Sequence, residues 1–318
     1  STMAEIALPE MKKYNYSNAL STGTLAAGGT LGILIPPSIA LVIYSILAEQ
    51  NITAMFTAAL VPGLLAALGY IIAINIYVKI FPKSAPTGKQ ADLASKIISL
   101  KKVWPIIFIF LIVLGGIYFG IFTPTEAAAV GAFLSGIIAW KFQKLNWSSL
   151  KDSILKTAET TGMIFLILFG ADIFNSFLGR TMLPQELLSI LTSLELGSFT
   201  ILLIILLIYI FLGFFMDSLS MIILTIPIFF PIISTFDFGL NPSETGIWFG
   251  IIVLIVVEVG LITPPIGLNV FVINSIAKNV PMSQTFIGTV PFLITDLIRI
   301  TALLFFPGIT LFLVRLLN

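Results

Sequence analysis

The stretches GILIPP at residues 32–37 and GLITPP at residues 260–265 each set two consecutive prolines behind a glycine, inside a long apolar run. A proline within a helix supplies no backbone donor and clashes with the turn before it. Two in succession open the helix and leave amides and carbonyls unpaired. In hydrocarbon, opened backbone is tolerated only where it lines a cavity or binds something. The shared pattern G-x-x-x-P-P, once in each half of the chain, reads as an internal repeat.

The surroundings of both motifs are apolar enough for a membrane. Hydrophobic residues make up 58% of the 318 positions and charged residues only 10%, which leaves too little polar surface for a water-soluble globule. Apolar runs at 19–47, 54–80, 105–122, 127–140, 163–177, 198–215, 221–236, 247–276 and 291–317 approach the length of a spanning helix, so about eight or nine membrane segments are expected, some of them half-spans. The predicted fold class is an all-α polytopic membrane protein with re-entrant hairpins and two broken helices. The chain holds no Cys and no His, which excludes thiol nucleophiles, His-based triads, zinc sites and imidazole relays. An enzyme is not expected, and a net charge of +1 without a basic cluster gives no nucleic-acid footprint.

The distribution of charge sets the sidedness. The lysines fall at Lys12 and Lys13, from Lys79 to Lys102, from Lys141 to Lys156, and at Lys278, which marks these ends as cytoplasmic. The alternate connections at 49–53, 122–126 and 237–244 carry no Lys or Arg, and Arg180 and Arg315 lie toward the opposite side. The first broken helix then runs outward and the second inward. An inverted repeat with matching broken helices points to a secondary transporter with its site at the midplane.

Further elements follow from pattern. Residues 81–90, with Pro82, Pro86, Gly88 and two lysines, read as the linker between the halves. Segments 92–103 and 184–194 have apolar residues at helical spacing between polar ones, as helices lying in the membrane interface or as amphipathic helices packed on their own protein. The organisation expected is first-repeat transport elements at 1–80, a linker, arm and scaffold helices at 81–195, second-repeat transport elements at 196–280, and a C-terminal membrane helix at 281–318. Residues 1–9 lack a signal-peptide pattern, and residues 1–13 read as the returning limb of a first hairpin whose tip lies upstream.

The candidate site residues are those that interrupt apolar runs with oxygen. Around the first break they are Gly29, Thr30, Gly32, Pro36, Pro37 and Ser38, and around the second Gly260, Thr263, Pro264, Pro265, Gly267 and Asn269. Asp217, Ser218 and Ser220 interrupt another apolar stretch and read as the tip of a re-entrant hairpin, the alternative being a loop between two full helices. Hydroxyls, carbonyls and a carboxylate suit a hard monovalent cation, with sodium expected near Thr30, Ser38, Asp217, Thr263 and Asn269 as the coupling ion and no other cofactor. Proton coupling through Asp217, Glu258 or Glu126 is the alternative. Helix N-termini after the prolines direct positive dipole ends at the cavity, as a carboxylate substrate requires.

Other polar residues have simpler readings. Glu126 follows Thr123 and Pro124 as a first-turn acid favoured by the helix dipole. Asp296 and Arg299, three residues apart in the last apolar run, are expected to neutralise each other, worth about 0.6 kcal/mol. Asp172 and Asn175 sit in an apolar run where a companion subunit would meet them. A channel or a pump subunit is disfavoured by the lack of an acidic ring and of a phosphate-binding loop.

The stretches IALPEMKKYNYSNAL (6–20), GGTLGILIPPS (28–38), GIFTPTEAAAVGAF (120–133), MDSLSMIILTIPIFFPI (216–232) and VGLITPPIGLN (259–269) together resemble the large membrane subunit of tripartite ATP-independent periplasmic (TRAP) transporters. The resemblance covers essentially the whole chain and is closest to the sialic acid branch. It implies a multi-pass protein of the bacterial inner membrane working by an elevator mechanism, in which two hairpins and two broken helices carry substrate and sodium against a scaffold. It also implies a small membrane subunit, a periplasmic substrate-binding protein and an organic acid as cargo. Sodium sites would be lined by residues 29–38 on one side and by 217–220 with 263–269 on the other. The family's amino-terminal helices and first hairpin tip are not in these 318 residues, which affects the first of those sites.

Overall fold

Each double proline ends one helix and starts another. The computed structural model describes residues 2–86, 92, 103–143, 145–193 and 195–317. In it α1 (Thr2–Lys13) leads into α2 (Asn18–Leu34), which bends by 46° into α3 (Ile39–Leu47) across the first motif. α4 (Ile52–Ile80) follows. Next come α5 (Trp104–Tyr118), α6 (Pro124–Gln143), α7 (Trp147–Thr181) and α8 (Leu183–Ser193). α9 (Ser198–Gly213) and α10 (Ser218–Ser234) precede the second broken element, α11 (Pro242–Ile262) and α12 (Leu268–Ile276), and α13 (Met282–Phe305) and α14 (Pro307–Leu317) close the chain. All regular structure among the described residues is helical, as the sequence predicts.

Four helices, α4, α7, α11 and α13, are long and apolar enough to cross a membrane, and the bent α2–α3 pair makes a fifth. α5, α9, α10 and α14 are apolar but shorter. Two boundaries differ from expectation. The run 291–317, read as one segment, is two helices, because Pro307 biases Phe306 out of the helical region to φ −125° and ψ 72°. The run 163–177 is only part of α7, which begins at Trp147. Its first turns are polar, so hydropathy did not reveal them. The interfacial helix expected at 92–103 lies outside the described residues except at its ends, and that at 184–194 is the short α8.

The chain forms two compact units, residues 87–170 and the remainder. In the smaller one α5 packs on α6, with the Phe122 ring against Gly116. Thr123 and Glu126 cap α6 reciprocally, the Thr123 amide and hydroxyl donating to the carboxylate at 2.8 and 2.9 Å and the Glu126 amide to the hydroxyl at 3.3 Å. Glu126 is thus a helix-start residue, as read.

The larger unit is built around α11. From Thr245 to Ile262 every residue of that helix is buried, as expected for a helix apolar all round. It is packed by α2, α3, α4, α9, α10, α12, α13 and α14. Close approach depends on glycine at two crossings. Gly23 of α2 meets Gly288 of α13 so tightly that a Cβ on Gly288 would lie 1.9 Å from the Ala19 carbonyl oxygen. At the other, Gly213 of α9 lies on Gly260 of α11. The packing is reciprocal: α1 lies against α2 and α12, while α10 lies against α11 and α3.

Tyr44 of α3 spreads its ring over Gly250 and donates its hydroxyl to the Gly246 carbonyl at 2.6 Å. Tyr44→Phe keeps the ring and removes one buried hydrogen bond, so a loss of about 1 kcal/mol is expected in thermal unfolding of the detergent-solubilised protein. A loss near zero would show that the hydroxyl contributes nothing.

Candidate functional site

At the first break Ser38 does two jobs. Its hydroxyl donates to the Ile33 carbonyl and accepts from the Leu41 amide at 3.4 Å, capping α3. One carbonyl released by Pro36 and Pro37 is thereby satisfied from within the chain. At the second break Thr263 donates to the Val259 carbonyl and Thr289 of α13 to the Ile262 carbonyl at 3.4 Å. Gly267 opens α12 in the left-handed region, φ +59°, with the Phe286 ring 2.9 Å from where a Cβ would stand. That position needs glycine on both counts. The bonds Pro36–Pro37 and Pro264–Pro265 are cis.

Gly29 and Asn269, from opposite motifs, come together along a cavity of about 450 Å³ that Met3, Thr24 and Gly28 also line. A second cavity, of about 460 Å³, brings Lys12 and Lys278 together beside Glu5, Asn18 and Asn279. Two of the lysine positions assigned to one side are thus neighbours. Arg315 and Glu244, assigned to the other side, form an ion pair at 2.6 Å.

α9 and α10 are the limbs of a helical hairpin. Thr225 donates to the Tyr209 hydroxyl across it at 2.8 Å, and the Tyr209 and Phe229 rings meet at 5.5 Å. Both pairs are nearly symmetric about Asp217, which places that residue at the tip. Asp217 accepts the Leu219 and Ser220 amides at 3.1 Å each and the Ser220 hydroxyl, so its carboxylate caps α10. Its negative charge suits that terminus. Asp217→Ala is expected to cost about 1 kcal/mol, with Asp217→Asn retaining most of it; melting curves of the two variants decide, and equal losses would make the cap unimportant.

The next residue, Ser218, is buried and donates to Glu258 Oε1, near the C-terminal end of α11, at 2.9 Å. Glu258 entered the sequence reading only as a proton carrier, because nothing in its apolar context marks it as a neighbour of the hairpin tip.

Thr30 is not among the residues that line the Gly29–Asn269 cavity. Its hydroxyl lies 2.6 Å from the Ala27 carbonyl and 3.0 Å from the Tyr70 hydroxyl of α4. Tyr70 donates to Asp296 Oδ2 at 2.7 Å, and Arg299 donates to Asp296 Oδ1 at 2.8 Å and to the Pro62 carbonyl at 3.4 Å. The Asp296–Arg299 pair read from spacing is present, as the buried end of a chain of polar contacts reaching the first broken helix. Gly32 has open space around it. Apart from Thr30, Gly32 and Gly260, the candidates gather at three places among the described residues: the hairpin tip with Glu258, the Gly29–Asn269 cavity, and the breaks with their caps. No cluster of three acidic or metal-ligating side chains occurs among the described residues.

Span-length helices, two of them opened by paired prolines beside a helical hairpin, define a polytopic membrane protein of the transporter class. Residues 1–309 match the model of the family described as tripartite ATP-independent periplasmic transporter, DctM component. The chain is 34% identical over 312 residues to the C4-dicarboxylate TRAP transporter large permease protein DctM of Pseudomonas aeruginosa, covering 98% of this chain and 71% of that protein. It is 29% identical over 318 residues to the sialic acid TRAP transporter large permease protein SiaM of Vibrio cholerae, covering 99% and 72%. With the isethionate TRAP transporter permease protein DctMQ of Oleidesulfovibrio alaskensis it shares 31% over 316 residues, 98% of this chain and 48% of that protein. The chain belongs to the DctM family of TRAP large permeases, transport components that are not enzymes. Identity does not single out the sialic acid branch, since the dicarboxylate relative scores higher than SiaM.

Proposed function

We propose that this chain carries an organic acid across a bacterial inner membrane by sodium coupling, as the large subunit of a three-part importer. The observation that carries the reading is the pair of proline-opened helices, each meeting a helix of the hairpin class and the second limb of the other break, with only oxygen donors available at the openings. Hydroxyls, carbonyls and a single carboxylate match a hard monovalent ion. The reciprocal packing supports an inverted repeat, and with it an elevator in which α1–α4 and α9–α12 move as the carrier.

The cargo is a carboxylate-bearing acid; sialic acid, the expectation from the sequence, stands beside a C4-dicarboxylate. A small membrane subunit is proposed to complete the scaffold and a periplasmic binding protein to deliver substrate. The large exposed apolar side chains of α5–α7, among them Leu111, Phe133, Leu166 and Phe169, suit lipid or such a subunit.

The test is uptake of labelled succinate and labelled sialic acid into proteoliposomes containing the full-length subunit and its small partner. Uptake that needs both an inward sodium gradient and the binding protein supports the reading. Uptake indifferent to sodium and driven by a pH gradient overturns it in favour of proton coupling.

A further inference from the structure

Lys12 and Lys278 come from opposite halves of the chain and line the same cavity, of about 460 Å³. Lys12 lies in the last turn of α1, and Lys278 follows the end of α12 at Ile276. A cation at a helix C-terminus suits the dipole, which accounts for either lysine alone but not for their meeting. Two like charges on one cavity repel unless something negative lies between them. The chain supplies no such partner among the described residues. Glu10 pairs with Lys13 at 3.6 Å, and neither Lys12 nor Lys278 forms an ion pair. Glu5 also lines the cavity, but about two turns before Lys12, roughly 10 Å away along α1. Asn18 and Ser21, at the start of α2, belong to the lining as well, so the positive end of a helix borders the same space.

What completes this arrangement is an anion, and its level in the membrane indicates which kind. The lysine distribution puts Lys12 and Lys278 at the cytoplasmic ends of their helices, where the leaflet carries negatively charged headgroups. On the midplane side of the lysines Ala4 and Leu8 of α1 and Ile276 of α12 give the cavity an apolar wall, as the first carbons of an acyl chain require. Tyr16 also lines it, and tyrosine favours the headgroup level. We propose that the cavity holds the phosphate of an anionic phospholipid of the cytoplasmic leaflet, gripped by Lys12 and Lys278 so that it ties the end of α1 to the end of α12. The proposal rests on the inner-membrane reading above and is independent of the coupling ion. It gives the bilayer a hold on the first hairpin limb: α1 packs chiefly on α2 and α12, and a membrane poor in anionic lipid leaves its cytoplasmic end repelled from α12.

Thermal unfolding of the full-length subunit with its small partner in neutral detergent tests this, with short-chain phosphatidylglycerol or phosphatidylcholine added. Wild type is expected to melt higher with phosphatidylglycerol and to ignore phosphatidylcholine. Lys12→Gln and Lys278→Gln should each raise the half-saturating phosphatidylglycerol concentration about fivefold, while Lys12→Arg keeps it near the wild-type value. Lys13→Gln is the matched control: it loses the same charge one residue away, outside the cavity lining, and should respond as wild type. An equal loss in Lys13→Gln overturns the proposal, because any surface lysine would then serve. So does a wild type indifferent to phosphatidylglycerol, or a normal response in both cavity variants. A lowered melting temperature without lipid, combined with a normal lipid response, makes the lysines structural alone and also overturns it. Inorganic phosphate in place of lipid separates the two sources. If phosphate alone stabilises wild type and the effect is lost in Lys12→Gln and Lys278→Gln, the site belongs to a soluble anion and the lipid is overturned. None of these readouts involves transport, so they stand apart from a failure of the uptake reading, which the proteoliposome assay decides.

Discussion

Gly288→Val is expected to abolish recovery of folded protein. A Cβ at this position would lie 1.9 Å from the Ala19 carbonyl oxygen and 3.0 Å from the Gly23 Cα, and both neighbours are backbone atoms that no rotamer change moves aside. The helices must separate. Doing so pulls apart the Thr285–Thr22 hydrogen bond, 3.0 Å, and lifts α13 from the α2 segment that leads to the first break. Overpacking a core typically costs about 1–3 kcal/mol, and here the obstacle is main chain, so more than ~4 kcal/mol is expected. The readout is the monodisperse fraction of a fluorescent fusion after extraction. Gly32→Ala, where a Cβ meets nothing within 4 Å, is the matched control and should behave as wild type. Equal recovery of both variants would show that the crossing is looser than described.

The second large effect is expected at Arg299. Its guanidinium is bonded to Asp296 at 2.8 Å, with side-chain exposures of 9% and 3%. Arg299→Met leaves Asp296 as an uncompensated buried charge, a situation that costs about 3–5 kcal/mol. Asp296→Asn in the same chain removes that charge, and the double variant should regain more than half of the loss. Tyr70→Phe deletes one charge-assisted hydrogen bond and should cost about 1.5–3 kcal/mol. Thermal unfolding of wild type, Arg299→Met, Asp296→Asn and the double variant closes the cycle. If the double variant is no more stable than Arg299→Met alone, the pair is not what holds α4 to α13.

Much of this was legible in the sequence because it is local. Consecutive prolines at 36–37 and 264–265 break a helix wherever they stand, Glu126 caps its own helix, and Asp296 meets Arg299 one turn away. The contacts that were not legible join residues far apart. Tyr70 reads as an ordinary aromatic until α13 brings Asp296 to it, and Thr30 reads as a free oxygen until Tyr70 arrives. Glu258 looked like a carboxylate stranded in an apolar helix; only the hairpin fold delivers Ser218 to it. Gly23 and Gly288 carry no motif, and their importance lies in a crossing that hydropathy does not encode. Ser38 and Thr263 read as oxygens for a sodium ion at the breaks; in the structure each donates its proton to a nearby carbonyl, because opened backbone competes for any hydroxyl within reach.

The Gly23–Gly288 crossing bears on how the protein is made. Thr22 and its partner Thr285 are separated by 263 residues, which a ribosome needs roughly ten to fifty seconds to synthesise. Throughout that interval the face of α2 that will receive α13 has left the ribosome without its partner, and lipid or an insertase must cover it. Final assembly is therefore a late event governed by the newest part of the chain. A nascent chain that stalls before residue 282 would leave uncovered the faces of α2 and α4 on which α13 packs.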